Sequence, residues 1–193
     1  MHWASWEPLT LISHAWIVLA IYWAISALRV KQMKYIAPIR VRVIQLVFLI
    51  PGCYLLFVRH THVTLLQIAV LPKLPVVAAI GVAVAWLGIA LALWARYVLG
   101  SNWSAQVAIR EGHELIQTGP YRLVRHPIYT GILTGTWGTA IAIGQLSAFF
   151  GVVLITLGLA YKGKQEELRL QATFGESWTA HQRRTGMFLP RIR

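Results

Sequence analysis

The sequence predicts an all-α integral membrane protein: five transmembrane helices, with polar C-terminal segments on the cytoplasmic side. Three observations carry that expectation. Of the 193 residues, 57% are hydrophobic and 12% are charged, a balance that suits a polytopic membrane chain. The apolar residues gather in runs of about 16 to 20, a length that matches a hydrocarbon core of about 30 Å at ~1.5 Å per residue. The Lys and Arg fall between those runs, in alternate connections, as the positive-inside rule requires.

The first span is expected over about Leu9 to Leu28, with Trp3 and Trp6 at its outer interface. The segment before it, MHWASWEP, lacks the basic start of a cleavable signal, so the span should stay in the mature protein. Residues 29–42 follow with Arg29, Lys31, Lys34, Arg40 and Arg42, which marks a cytoplasmic loop and puts the N-terminus outside. The second span runs from about Val43 to Val58 around Pro51 and Gly52, a pair expected to kink it. That kink serves either packing or a ligand. Cys53, the single cysteine, offers no disulfide or metal framework and is expected as a small core residue.

Residues 59–75 carry few charges and two prolines, consistent with the far side. The third span, about Val76 to Ala95, repeats Ala78, Gly81, Ala85, Gly88 and Ala92 at three and four, giving a small face for close helix approach. From Arg96 to Pro127 the chain turns polar and basic, and a connection of that length is unusual without a task. Apolar character then holds from Ile128 to Tyr161, broken at Gly144 and Gln145, which reads as two antiparallel spans, 128–143 and 146–161. Gly131, Gly135 and Gly138 give another small face. The remainder, 162–193, is polar and cationic, with Leu168, Leu170 and Phe174 spaced for an amphipathic helix leaving the last span. No repeat or second composition is visible, so residues 1–193 are expected to form one membrane-embedded domain.

Formal net charge is +12. Because the cations lie between apolar spans, membrane lipid rather than nucleic acid is the expected partner; the oligomeric state is not legible. Five of the six acids, Glu111, Glu114, Glu166, Glu167 and Glu176, fall in the two cytoplasmic segments. These segments flank the last helical hairpin, so a shared pocket is expected there, with carboxylates for a ligand that carries cations. Lys162 and Glu166 could equally be an ordinary i,i+4 pair on a helix. Motifs for phosphate cradles, dinucleotide folds, zincins and serine hydrolases are absent. His60 and His62 lack a third ligand, so no metal site is expected.

In residues 113–131, HELIQTGPYRLVRHPIYTG, Gly119 and Pro120 mark a turn into a short helical segment, and Pro127 opens a helix after Arg122 and Arg125. This string, followed after one hairpin by QEELRLQATFGESW, resembles the isoprenylcysteine carboxyl methyltransferase family, within the wider group that includes phospholipid methyltransferases. The resemblance covers about residues 96–193. It implies S-adenosylmethionine as cofactor, bound in a pocket without a dinucleotide fold, and methyl transfer to a lipid-like or prenylated small acceptor reached through the bilayer; the polar C-terminal segments would then be the catalytic ones. It implies cofactor contacts at Gln106, at His113, Glu114, Leu115 and Ile116, at Tyr121, at His126, Pro127, Ile128 and Tyr129, and at Glu166. Lys162 stands where eukaryotic members place an Arg that meets substrate, which keeps the charge and loses the bidentate fork.

Methyl transfer from a sulfonium is an in-line displacement, so positioning can supply roughly 7 to 11 kcal/mol at best and no metal is needed. A carboxylate acceptor would need a cation such as Lys162, Lys164 or Arg183 and no base. An amine or thiol acceptor would need a base, for which Glu167 or His126 are available. The catalytic expectation therefore rests on Lys162 and Glu167. Phospholipid or amine N-methylation is the alternative within enzymes; a lipid-binding scaffold is the alternative outside them.

Overall fold

The computed structural model describes residues 7–27, 38–57, 63–100 and 115–191. Among them the regular structure is helical, with two isolated bridges. Six α-helices follow in order: α1 (Glu7–Ala27), α2 (Ile39–Phe57), α3 (Pro75–Leu99), α4 (Pro127–Ile143), α5 (Leu146–Phe174) and α6 (Glu176–Arg184). Four of these, α1, α2, α3 and α5, are long and apolar enough to cross a membrane. The expected fourth span, α4, has 17 residues, a length of about 26 Å.

α4 is the centre of the bundle. It lies between α3 on one side and α5 on the other; α1 packs on α3, and α2 packs on α5. The two small faces read from the sequence meet each other. A Cβ at Gly131 would stand 2.5 Å from Ala92 N, one at Gly81 would stand 2.6 Å from Ala142 N, and Cβ atoms at Gly88 and Gly138 would overlap the facing backbone. Helix backbones this close leave room only for hydrogen at those positions, so the stripe is a packing seam. Gly52 in α2 and Gly151 in α5 do the same for the second pair, a Cβ at Gly151 falling 2.6 Å from Gly52 O. Gly52 therefore serves packing. Cys53 next to it lies on the exposed face of α2, not in the core: α2 buries Val41, Gly52 and Leu56, and a step of one residue turns about 100° away from that stripe.

Across the bundle, Trp16 Nε1 of α1 donates to Thr139 Oγ1 of α4 at 3.0 Å, a polar tie worth about 1 kcal/mol in an otherwise apolar contact. At the far end, Val70 N and Leu71 N donate to Gly144 O at 2.7 and 3.2 Å, and Leu146 N donates to Ile68 O at 3.0 Å. Gly144 adopts φ 68° there, the left-handed geometry that ends α4 and that glycine adopts without strain.

α3 runs past the expected boundary at Ala95 to Leu99. Arg96, expected to begin the polar segment, is instead buried, 4% exposed, and donates to Gly100 O at 2.8 Å and Ser26 O at 3.3 Å. Carbonyls at helix C-termini lack intrahelical donors, and one guanidinium here serves the ends of both α1 and α3.

Candidate functional site

The site forms at the end of the α4–α5 hairpin opposite its turn. Thr118 is extended, Gly119 takes φ 56°, and Gly119–Arg122 make one 3-10 turn that buries Pro120 and Tyr121. Pro127 is the first residue of α4, where its missing N–H costs nothing and its fixed φ favours the helix. His126 therefore sits immediately before α4, 7% exposed, and faces the part of α5 where apolar residues give way to Lys162, Glu166 and Glu167.

Two carboxylates flank the imidazole. Glu166 Oε2 lies 3.5 Å from His126 Nδ1, and Glu167 Oε1 lies 3.3 Å from His126 Nε2. The second approach is within ion-pair reach but lacks hydrogen-bond alignment, so buried Nε2 keeps a donor position open. Tyr129 donates its hydroxyl to Glu166 Oε1 at 2.6 Å, and its ring stacks on His126 at 5.4 Å and 8°. Lys162 Nζ lies 3.9 Å from the same Glu166 oxygen and 5.4 Å from the centre of the Tyr129 ring. Burial works against a charged His126, but the pull of Glu166 and Glu167 outweighs it and raises its pKa above the ordinary value. Burial chiefly, with the charge of Glu166, raises the pKa of the Tyr121 hydroxyl far above its ordinary value and keeps it protonated.

A C-terminal strap completes the site. After α6 the chain returns alongside residues 124–126, with a parallel bridge between Val124 and Gly186. Arg125 N donates to Gly186 O at 2.9 Å, and His126 N donates to Met187 O at 3.1 Å. Thr130 Oγ1 donates to Phe188 O at 2.8 Å, and the Phe188 ring meets His126 and Tyr129 edge-on at 6.1 and 6.4 Å. Gly163 lets this wall pack closely on α5: a Cβ there would stand 2.5 Å from Met187 Cε and 3.6 Å from His126 Nε2.

Of the residues expected from the sequence, Tyr129, His126, Lys162, Glu166 and Glu167 come together in one cluster. Pro127 and Ile128 are buried at its floor. Tyr121 and Ile128 form an apolar cluster with Ala95, and Ile116 packs against it; Leu115 is half-buried. Gln106, His113 and Glu114 lie outside the described residues. Of the cations considered for an acceptor, Lys162 faces the cluster, while Lys164 and Arg183 are exposed. Sequence reasoning missed Arg125 as a site residue, together with Gly163 and the whole strap. In the sequence Arg125 is one of several cations between apolar runs, and Gly163 is only a glycine between two lysines. Nothing in TGMF signals that it returns to the site.

Residues 76–177, more than half of the chain, match the sequence profile of the phospholipid methyltransferase family. The chain is 36% identical over 75 residues to methanethiol S-methyltransferase of Pseudomonas deceptionensis, covering 38% of this chain and 27% of that one. It is 32% identical over 109 residues to the cobalt-zinc-cadmium resistance protein CzcN of Cupriavidus metallidurans, covering 55% and 47%. It is 29% identical over 94 residues to protein-S-isoprenylcysteine O-methyltransferase B of Arabidopsis thaliana, covering 47% and 48%. The matches thus span about a quarter to a half of the length of these curated relatives. The profile takes in α3, α4, α5 and the start of α6, the helices that build the site, and on that match the chain belongs to the phospholipid methyltransferase family, the group that includes the isoprenylcysteine carboxyl methyltransferases.

Proposed function

We propose that the protein is an S-adenosylmethionine-dependent methyltransferase of the membrane, acting on a lipid-like acceptor and, in the manner of the isoprenylcysteine enzymes, on its carboxylate. The observation that carries this reading is the pair of carboxylates held on either side of His126 beneath the Tyr129 ring, at residues supplied by the RHPxY and QEE strings. Two anions beside aromatic faces suit a ligand with a sulfonium and an ammonium. The open donor at His126 Nε2 is available to such a ligand. Glu166, His126 and Tyr129 would hold it, with Tyr121, Pro127, Ile128 and Phe188 excluding water. When bound, the cofactor supplies a methyl group made electrophilic by the sulfonium.

The chain's own contribution is orientation and fixed charge. The 2.6 Å bond from Tyr129 sets the direction of Glu166 before a ligand arrives, so no reorganisation is needed during transfer. Glu167 is held as an anion by Arg125 at 2.6 Å and His126 at 3.3 Å, which makes it a poor proton acceptor. An amine or thiol acceptor would lack a strong base here, whereas a carboxylate arrives ionised and needs a cation, which Lys162 provides.

Five spans fit this reading. A two-residue junction joins α4 to α5, and α4 follows the α3 seam from Gly81 to Ala92, so a crossing α5 brings α4 with it. The basic loop 29–42 and the cationic C-terminal segment then lie on the cytoplasmic side, with the N-terminus outside and residues 1–193 as one domain.

The test is calorimetry with S-adenosylhomocysteine on the detergent-solubilised protein, with His126→Ala and Glu166→Ala alongside. Saturable binding that weakens in both variants is expected. A folded wild type that does not bind it sinks the methyltransferase reading. With labelled cofactor and prenylcysteine analogues, base-labile label identifies a carboxyl ester; base-stable label on an amine would replace that acceptor class.

A further inference from the structure

Methyl transfer leaves one charged side chain at the site without a task. Arg125 Nε donates to Glu167 Oε1 at 2.6 Å, while its Nη1 donates to the carbonyls of Gln182 and Thr185. Those carbonyls lie at the end of α6 and the start of the strap. Gln182 Nε2 reaches the other oxygen of Glu167 at 3.4 Å. The oxygen that Arg125 holds is also the one 3.3 Å from His126 Nε2. One carboxylate oxygen thus faces both a guanidinium and an imidazole nitrogen, and the guanidinium has the shorter, aligned contact.

We propose that Arg125 is a positioning residue: without touching the ligand, it fastens the Thr185–Phe188 strap over His126 and Tyr129 and competes with His126 for Glu167 Oε1. The effect on a ligand rests on the methyltransferase reading; the latch and the shared oxygen do not. A guanidinium can do both because its planar fork presents several donors at fixed angles, and a lysine ammonium keeps the charge without that fork. The backbone bonds from Arg125 N and His126 N to the strap then persist because the side chain of Arg125 holds the same strap from its other edge.

The competition has an electrostatic signature. His126 faces Lys162, Glu166 and Glu167 on α5 and Tyr129 on α4, and the strap presents only Met187 and Phe188. On α6, His181 lies within electrostatic reach of Arg125 and of Arg184. Loss of the guanidinium removes a nearby like charge and frees Glu167 for the imidazole, and both changes move His126 titration upward.

The experiment uses the full chain in detergent with Arg125→Gln and Arg125→Lys. In Arg125→Gln, the amides of residues 125 and 126 should exchange with deuterium roughly tenfold faster or more, while α3 and α4 keep wild-type protection. The His126 ring signal, identified by its absence in His126→Asn, should titrate at higher pH in ligand-free Arg125→Gln. In Arg125→Lys, exchange should quicken while the His126 midpoint stays near wild type. S-adenosylhomocysteine should leave Arg125→Gln roughly tenfold faster, following the open strap. Unchanged exchange at 125 and 126 overturns the latch, and faster exchange with an unmoved His126 midpoint in Arg125→Gln reduces Arg125 to a structural role. If Arg125→Gln unfolds, Arg125→Lys decides by its exchange alone. A wild type that fails to bind S-adenosylhomocysteine refutes the methyltransferase reading, while exchange and titration, which need no ligand, still decide the latch.

Discussion

Gly131→Ala adds one methyl group where α3 and α4 meet backbone to backbone. Its Cβ would stand 2.5 Å from Ala92 N, against an ordinary contact of at least 3.4 Å, so the helices must part by about 0.9 Å (3.4 − 2.5) to admit it. Overpacking of this kind costs about 1–3 kcal/mol, which for a chain of this size is roughly 2–12 °C in Tm. Gly138→Ala meets a comparable wall at Gly81 and Ala85 and serves as the control. The two differ in distance from His126, about 8 Å along the helix for Gly131 and about 18 Å for Gly138. Both variants should therefore melt lower, but only Gly131→Ala should shift the first turn of α4 and weaken S-adenosylhomocysteine binding, by roughly tenfold, since displacements near 1 Å are costly at a preorganised site. The assays are thermal melting and calorimetry in one detergent. Wild-type melting in Gly131→Ala, or equal loss of affinity in both variants, would refute the seam as the element that positions His126.

Glu166→Gln keeps the shape but loses the charge that Tyr129, His126 and Lys162 all face; by the usual strength of charge-assisted bonds, affinity for S-adenosylhomocysteine should fall roughly tenfold or more, and a change under threefold would remove Glu166 from the ligand site. His126 has a raised pKa in the folded chain because Glu166 and Glu167 outweigh its burial. Its contribution to stability is thus complete below the unfolded value of about 6.5 and is lost as pH rises through the folded pKa; melting measured upward from pH 6 should show a decline that His126→Asn lacks. His181 works in the opposite sense, since burial, then Arg125 and Arg184, lower its pKa: its contribution is present above about 6.5 and lost as pH falls through the folded value, and His181→Gln should flatten the acid side of the same curve. Lys162→Met should raise KM for a carboxylate acceptor at least severalfold with a smaller change in S-adenosylhomocysteine affinity; equal losses in both would assign Lys162 to the cofactor instead.

The helices were legible because their signals are local. Apolar runs located α1, α2 and α3 to within about four residues, and the start of α5, which continues past the apolar run at 161 to Phe174 as the amphipathic extension expected there; the Gly/Ala periods in α3 and α4 announced a close seam, since small residues at three and four on apolar helices have little other use. The turn at Gly119 and the start of α4 at Pro127 were readable from the restricted backbones of those residues. His126, Tyr129, Lys162, Glu166 and Glu167 were found together because the hairpin folds 126 back onto 162–167, which its length alone requires. The strap was not legible: its ties to 125, 126 and 130 use backbone carbonyls of Gly186, Met187 and Phe188, and main-chain acceptors leave no trace in side-chain identity. Arg96 was misplaced for a related reason, its partners being the carbonyls of Ser26 and Gly100. Cys53 was assigned to the core on residue type, and the phase of α2 turned it outward.

The tie between His126 N and Met187 O gives the bundle a mechanical property. α4 and α5 form a hairpin held at its turn, where Gly144 and Leu146 bond the 68–71 segment, and α4 is a rod of about 26 Å. A rod of that length pivoting at the turn by only 2° would carry its free end about 0.9 Å, enough to misalign reacting atoms. The strap joins the free ends of both arms, converting an open fork into a closed frame. Rigidity at His126 is then set by a crossbar formed by residues 185–188, and a truncation before Gly186 would release a lever whose other end is fixed at the hairpin turn.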